Sequence, residues 1–218
     1  MAILKQGSLG IFTGKIGALV ITKWKDKYVG KSKPKPSAKK ASALQLSQRT
    51  KIRLAGKFMR RFKSVVSFSF QKVPKNMTAM NYAMWYNLRD AISGEYPDFT
   101  MDYAKVRLSE PADYATEIDN GYNVAVTVSG ARISVAWEAD ELPDNDETKA
   151  TDRAYFFCFH PEKNRFVSLE SSQRSDLKID LNLPDLFAGE VHMWLFFASD
   201  NLKYVSQTEY LGEFVIGF

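Results

Sequence analysis

The strongest constraint on the fold is a change of hydrophobic period partway along the chain. Through residues 42–93 apolar side chains recur three to four positions apart, the spacing of a helix that buries one face. Beyond Tyr103 they recur at every second position, the spacing of a strand. Ile52, Ala55, Phe58 or Met59, Phe62 and Val65 or Val66 form the first helical stripe, while Arg49, Arg53, Lys57 and Arg60 or Arg61 recur on a different face. Ser42 and Gln45 have the spacing of a capping box. After Pro74 a second stripe runs through Met80, Met84, Leu88 and Ile92, from about Thr78, with Gly94 suited to its C-cap and Pro97 as a stop. The spacing predicts helices over about 42–66 and 78–93, together a helical region of residues 42–100.

In the second half Tyr122, Val124, Val126 and Val128 alternate with polar residues, and Ile133, Val135 and Trp137 do so after the Ser129-Gly130 turn. Further strands are predicted over 154–160, 165–169, 177–181, 191–198 and 210–216. Regularly spaced strands between turns predict an antiparallel β-sandwich over residues 101–218. The apolar cluster Val191–Ala198 is short enough for a buried strand, and no apolar run is long enough to span a membrane.

Residues 1–41 are different again. Gly7, Gly10, Gly14 and Gly17 punctuate the start; glycine allows positive φ or close backbone approach, and four of them suggest tight packing against another backbone. The run from Ala18 to Val29 reads as two short strands around a Lys25-Asp26-Lys27 turn. The stretch KSKPKPSAKKA follows, carrying Lys31, Lys33, Lys35, Lys39 and Lys40; Pro34 and Pro36 disfavour helix, so an extended, exposed basic arm is expected. The fold class is therefore mainly β with a two-helix middle, the sandwich being preceded by a Gly-rich strand segment and a basic arm.

Charge follows the same order. The net +5 conceals 19 Lys and Arg against one acid in residues 1–75, and 11 against 24 acids in the remainder. One cysteine, Cys158, excludes an intramolecular disulfide framework. The N-terminus has no continuous apolar stretch of signal-peptide kind, so a soluble cytoplasmic protein is the default expectation, with release or inclusion in a particle as the alternative.

Two resemblances apply. Ile133-Ser-Val-Ala-Trp137, the Leu181-Asn-Leu-Pro184 to Gly189-Glu-Val191 stretch and Ser206-Gln-Thr208 resemble strands of a fibronectin type III or immunoglobulin-like domain over roughly residues 120–218. That implies an inward-facing Trp137, and His192 stands near where such domains carry a corner tyrosine. The opening glycines with Trp24-Lys25, the Lys-Pro arm, Gln48-Arg49 and Tyr96-Pro-Asp-Phe99 resemble an uncharacterised family found mainly in Bacteroidetes bacteria (family 6266). It implies this architecture and no activity.

Catalytic and metal motifs are weak. Gly10-Ile-Phe-Thr-Gly14-Lys15 has three residues between its glycines where a phosphate-binding loop needs four, and Ile16 follows the Lys. Cys158 and His160 share a strand face without a second ligand pair, and Cys158 reads as a small buried strand residue. Asp144-Asn-Asp146-Glu147 lacks the glycine and distal glutamate of a calcium loop. No catalytic residue, metal ligand or cofactor is assigned, and no enzyme is expected. The candidate surfaces are instead electrostatic. The basic one comprises the arm lysines with Arg49, Arg53, Lys57, Arg60 and Arg61. The acidic one, in the loop over 138–147, comprises Glu138, Asp140, Glu141, Asp144, Asp146 and Glu147. Together they predict self-association, the arm or strand of one copy docking on the sandwich of another. Nucleic-acid binding through residues 1–75, or another acidic partner, is the alternative.

Overall fold

Two strands organise the body of the protein: β9 (Arg153–His160) and β12 (Gly189–Ala198), neighbours in one sheet and apolar on both faces. A strand covered on one face alternates in polarity, whereas one covered on both reads as a continuous apolar run. Tyr155, Phe157, Phe159, Trp194, Phe196 and Ala198 pack into a core with the helices, while Phe156, Cys158, Val191, Met193, Leu195 and Phe197 pack into a second core with the opposing sheet. The layers are thus helices, a four-stranded sheet and a three-stranded sheet. Full burial of each such side chain contributes about 1.5–3 kcal/mol.

The structure, a computed structural model, describes residues 2–4, 13–25, 27–35, 39–139 and 145–218. Two compact units divide the chain, Met1–Ser42 and Ala43–Phe218. In the first, β1 (Ala2–Leu4), β2 (Gly14–Ile16), β3 (Leu19–Trp24) and β4 (Lys27–Ser32) form an antiparallel sheet in the order β1-β4-β3-β2. The register pairs Ile16 with Leu19 and Trp24 with Lys27, so two-residue turns join the last three strands. Gly17 sits in the first turn at φ +55 and Lys25 in the second at φ 52. The expected backbone packing is not seen at Gly14 and Gly17 among the described residues. A Cβ on Gly14 or Gly17 would meet no described atom within 4 Å, so positive φ, not crowding, accounts for glycine at both. Gly7 and Gly10 lie outside the described residues.

In the second unit α1 (Ala43–Met59) passes through a single tight turn, residues 60–62, into α2 (Lys63–Ser69). The predicted first helix is therefore in two pieces. Ala55, Phe58, Met59, Phe62 and Val66 are buried, whereas Ile52, placed on the apolar stripe by its spacing, is about half exposed. The second helix, α3 (Ala79–Asp90), is capped by Thr78, whose hydroxyl accepts from the Asn81 amide at 3.2 Å. It ends three residues before the predicted limit. Ile92 belongs to β5 (Ile92–Ser93), which pairs with β6 (Thr100–Met101). Gly94 serves this hairpin and not the helix C-cap: at φ +85, a Cβ there would stand 2.6 Å from the Asp98 carbonyl oxygen.

Strands of the sandwich begin later than the expected domain limit. Residues 102–121 carry two short tight turns and no strand. Then β7 (Tyr122–Ser129), β8 (Arg132–Glu138) and β11 (Lys178–Asn182) form the three-stranded sheet in the order β11-β8-β7. With β10 (Arg165–Gln173) and β13 (Glu209–Ile216), the other sheet runs β10-β9-β12-β13. This is a seven-stranded antiparallel sandwich of immunoglobulin and fibronectin type III kind. Trp137 does point inward: it meets Phe197 edge-on at 5.3 Å and its Nε1 donates to the Arg174 carbonyl at 2.9 Å.

The segment between helices and sandwich is pinned by polar groups that no periodicity reveals. Buried Asn87 donates to the Ala83 and Arg107 carbonyls, both at 2.9 Å, and accepts from the Arg107 amide at 3.0 Å. The Leu108 and Ser109 amides both donate to Thr208 Oγ1, at 2.8 and 2.7 Å, and Ser109 Oγ donates to the Ser206 carbonyl at 2.7 Å. Helices and sandwich therefore share a core and a hydrogen-bond network inside one compact unit.

Candidate interaction surfaces

The basic stripe on α1 is real for most of its members. Arg49, Arg53, Lys57 and Arg60 are exposed and lie on the side away from buried Ala55, Phe58 and Met59, as four-residue spacing on a helix dictates. Arg61 does not belong to it. Its guanidinium lies 5.1 Å from the Phe159 ring, donates to the Lys57 carbonyl at 2.6 Å and hydrogen-bonds the Asn164 side chain. A cation held over an aromatic ring and tied to the β9–β10 turn fastens helix to sandwich and is not offered to a partner. Phe58 and Phe62, the aromatics of that helix, are buried against Phe159 and Phe157 and cannot stack on bases.

In the N-terminal unit Lys31 lies on β4, opposite Val20, and Lys33, Lys35, Lys39 and Lys40 are exposed. The strand reaches Ser32, and the Lys33 amide donates to the Ala18 carbonyl at 2.6 Å, so the arm starts as part of the sheet. Among its described residues the buried apolar side chains are Ile21 and Val29, while Ile16 is 55%, Leu19 43% and Trp24 45% exposed. Short strands β1 and β2 form its edges.

The structural boundary redraws the charge map. Residues 1–42 hold ten lysines against one acid, and residues 43–218 hold 20 Lys and Arg against 24 acids. The basic helix thus lies on the acidic unit, and the purely basic element is the small sheet with its arm.

Of the acidic set, Glu138 and Asp146 are exposed and Glu147 is half-buried; Asp140, Glu141 and Asp144 lie outside the described residues. Asp119, unmarked in the sequence, positions the loop: its carboxylate accepts from the Asn145 side chain at 3.1 Å and from Thr148 Oγ1 at 3.0 Å. Glu138 accepts from Asn123 Nδ2 at 2.9 Å and borders a cavity of about 130 Å³ with Tyr122, Lys149, Arg174 and Leu177. Other acids are neutralised within the unit: Asp180 by Arg132 and Lys178, Asp200 by Arg153, and Asp152, buried, by Arg174 at 3.4 Å. Among the described residues Glu138, Asp146 and Glu147 have no such ion pair. Cys158 is buried between the sheets, and burial pushes its thiol up to about 12. The His160 ring holds the Ala188 carbonyl at 2.9 Å and is part of the fold.

The sequence model of a family of unknown function (DUF6266) matches residues 11–212. Among solved structures, the fn3 domain of the human collagen alpha-1(XX) chain is similar at 10% identity and a TM-score of 0.36, over 49% of this chain and 91% of that one. No curated protein matches.

Proposed function

The chain belongs to this family of unknown function, and we propose that it is a non-enzymatic structural protein that self-associates, its lysine-rich N-terminal unit docking on the acidic surface of a neighbouring copy. The observation that carries the reading is the division of charge by compact unit, ten lysines against one acid in residues 1–42 and an excess of acids in 43–218. Opposite charges on two separate units of one chain favour a head-to-tail contact, which closes into rings or extends into filaments. Exposed Ile16, Leu19 and Trp24 supply apolar area for such a contact, and the short edge strands β1 and β2 offer main-chain groups to a neighbour. Glu138, Asp146 and Glu147, acids of the 138–147 loop with no ion pair among the described residues, form the acceptor.

Light scattering on the full chain between roughly 50 and 500 mM salt tests this, because screening weakens exposed charge pairs across that range. Association that falls with salt, and that falls further in the Lys31→Glu/Lys33→Glu/Lys35→Glu variant, is expected. A monomer at every concentration and salt refutes the proposal. A second reading is favoured by exposed Trp24, flanked by Lys23, Lys25 and Lys27: non-specific nucleic-acid binding, with the indole as a stacking platform. Its distinguishing result is retention on DNA that falls with salt and is lost in Trp24→Ala.

A further inference from the structure

We propose that Glu190, His192 and Glu213 form a binding site for a first-row divalent metal ion, Zn²⁺ foremost, on the helix-facing side of the β12–β13 pair. Glu190 and His192 are two apart on β12 and so share a face, and the register sets Glu213 of β13 directly opposite His192. The ligand atoms of all three lie within 4.8 Å of one another, and this is the one convergence of His, Cys and carboxylate ligands among the described residues. Ligands on a tetrahedral zinc, with bonds near 2.0–2.1 Å, stand about 3.4 Å apart. Both glutamates are exposed, so side-chain rotation closes the remaining gap without moving the strands.

His192 makes this more than an acidic cluster. The residue is 6% exposed, and its ring is stacked on Tyr103 with centroids 4.2 Å apart. Nδ1 is hydrogen-bonded to the Tyr210 hydroxyl at 2.7 Å. The imidazole is therefore held on one face and at one nitrogen, with Nε2 left pointing at the carboxylates. Nε2 stands 3.5 Å from Glu190 Oε1, beyond a good hydrogen bond. A ring whose second nitrogen is fixed by a hydrogen bond is the usual arrangement of a metal-ligating histidine. With Nδ1–H donating to the Tyr210 oxygen, the Nε2 lone pair faces the site. Neither glutamate has a Lys or Arg ion pair among the described residues, so two negative charges and a nitrogen lone pair converge with no positive charge between them. Calcium prefers an all-oxygen shell, whereas imidazole with carboxylates suits zinc and its first-row neighbours. Three protein ligands leave a fourth position open to water. The ion would clamp β13, the edge strand, to β12 in addition to the sheet ladder.

The test is calorimetric titration of the chelator-treated full chain with ZnCl₂, with Co²⁺ absorption in the visible range as a report on nitrogen and oxygen ligation. One Zn²⁺ per chain is expected. Glu190→Gln and Glu213→Gln should each weaken binding by about tenfold or more, without changing the thermal midpoint of the metal-free protein, since both side chains are exposed. Glu162→Gln, an exposed glutamate in the β9–β10 turn, should bind as the parent does. No uptake at roughly 100 μM metal, or equal affinity in the parent and the two ligand variants, overturns the site.

Discussion

Thr208 gives a sharp test of how the helical layer is tied to the sandwich. Its Oγ1 accepts from two consecutive backbone amides, Leu108 at 2.8 Å and Ser109 at 2.7 Å, and both residues are fully buried. Ser109 Oγ donates to the Ser206 carbonyl, so the Thr208 hydroxyl proton goes to Ser109 Oγ at 2.9 Å. Thr208→Val keeps the shape of the side chain and removes the oxygen. Two buried amides then lose their acceptor, at about 1–3 kcal/mol each. The added methyl returns about 0.8 kcal/mol. A net loss of about 3 kcal/mol follows, a fall in Tm of roughly 6–12 °C for a chain of this size. Urea unfolding followed by tryptophan fluorescence measures it, with buried Trp194 and Trp137 as reporters and an unchanged m-value as the sign that only stability moved. Thr208→Ser, which keeps the oxygen, should lose much less. A Val variant within about 0.5 kcal/mol of the parent would refute the claim that this hydroxyl carries both amides.

Two further outcomes follow from burial. Because the Cys158 thiol is pushed up to about 12, the native protein at pH 8 should react with a disulfide reagent only as fast as it opens, and equally fast labelling with and without denaturant would contradict that. Glu209 is raised above the ordinary carboxylate range by burial alone. A folded pKa above the unfolded one means the folded state holds its proton longer, so stability is lost as pH rises from the unfolded value through the folded one. Glu209→Gln should remove that loss, flattening stability as pH rises above the ordinary glutamate value, and parallel curves for the two proteins would dismiss it.

Much of the fold was legible because burial on one face leaves a period. The helix starting at Thr78 and the strands around Val135, Phe157 and Trp194 all follow the spacing of their apolar residues. The misplacements have one physical origin: spacing says which side chains share a face and not what covers it. Ile52 has helical spacing yet is half exposed, and Ile92 continues the α3 stripe yet lies on a strand. Arg61 continues the basic stripe, but Phe159 and Asn164 draw it inward across about a hundred residues of sequence. The glutamate–histidine cluster was invisible for the same reason. Glu190 and His192 are two apart, but Glu213 joins them only through the β12–β13 register.

The amino-acid sequence by itself determined most of the helices and strands, the antiparallel sandwich, the buried state of Cys158 and the basic character of the N-terminal segment. These rest on local spacing and on charge counts, which need no neighbour. Tertiary structure alone decided that the helices cap the outer face of β9 and β12, making these strands buried on both sides. It also placed the unit boundary at Ser42, so that the basic helix rides on the acidic unit and only the small lysine-rich sheet stands as a separate basic element. Those outcomes depend on contacts between residues far apart in the chain, and no local pattern encodes which distant surface will be buried.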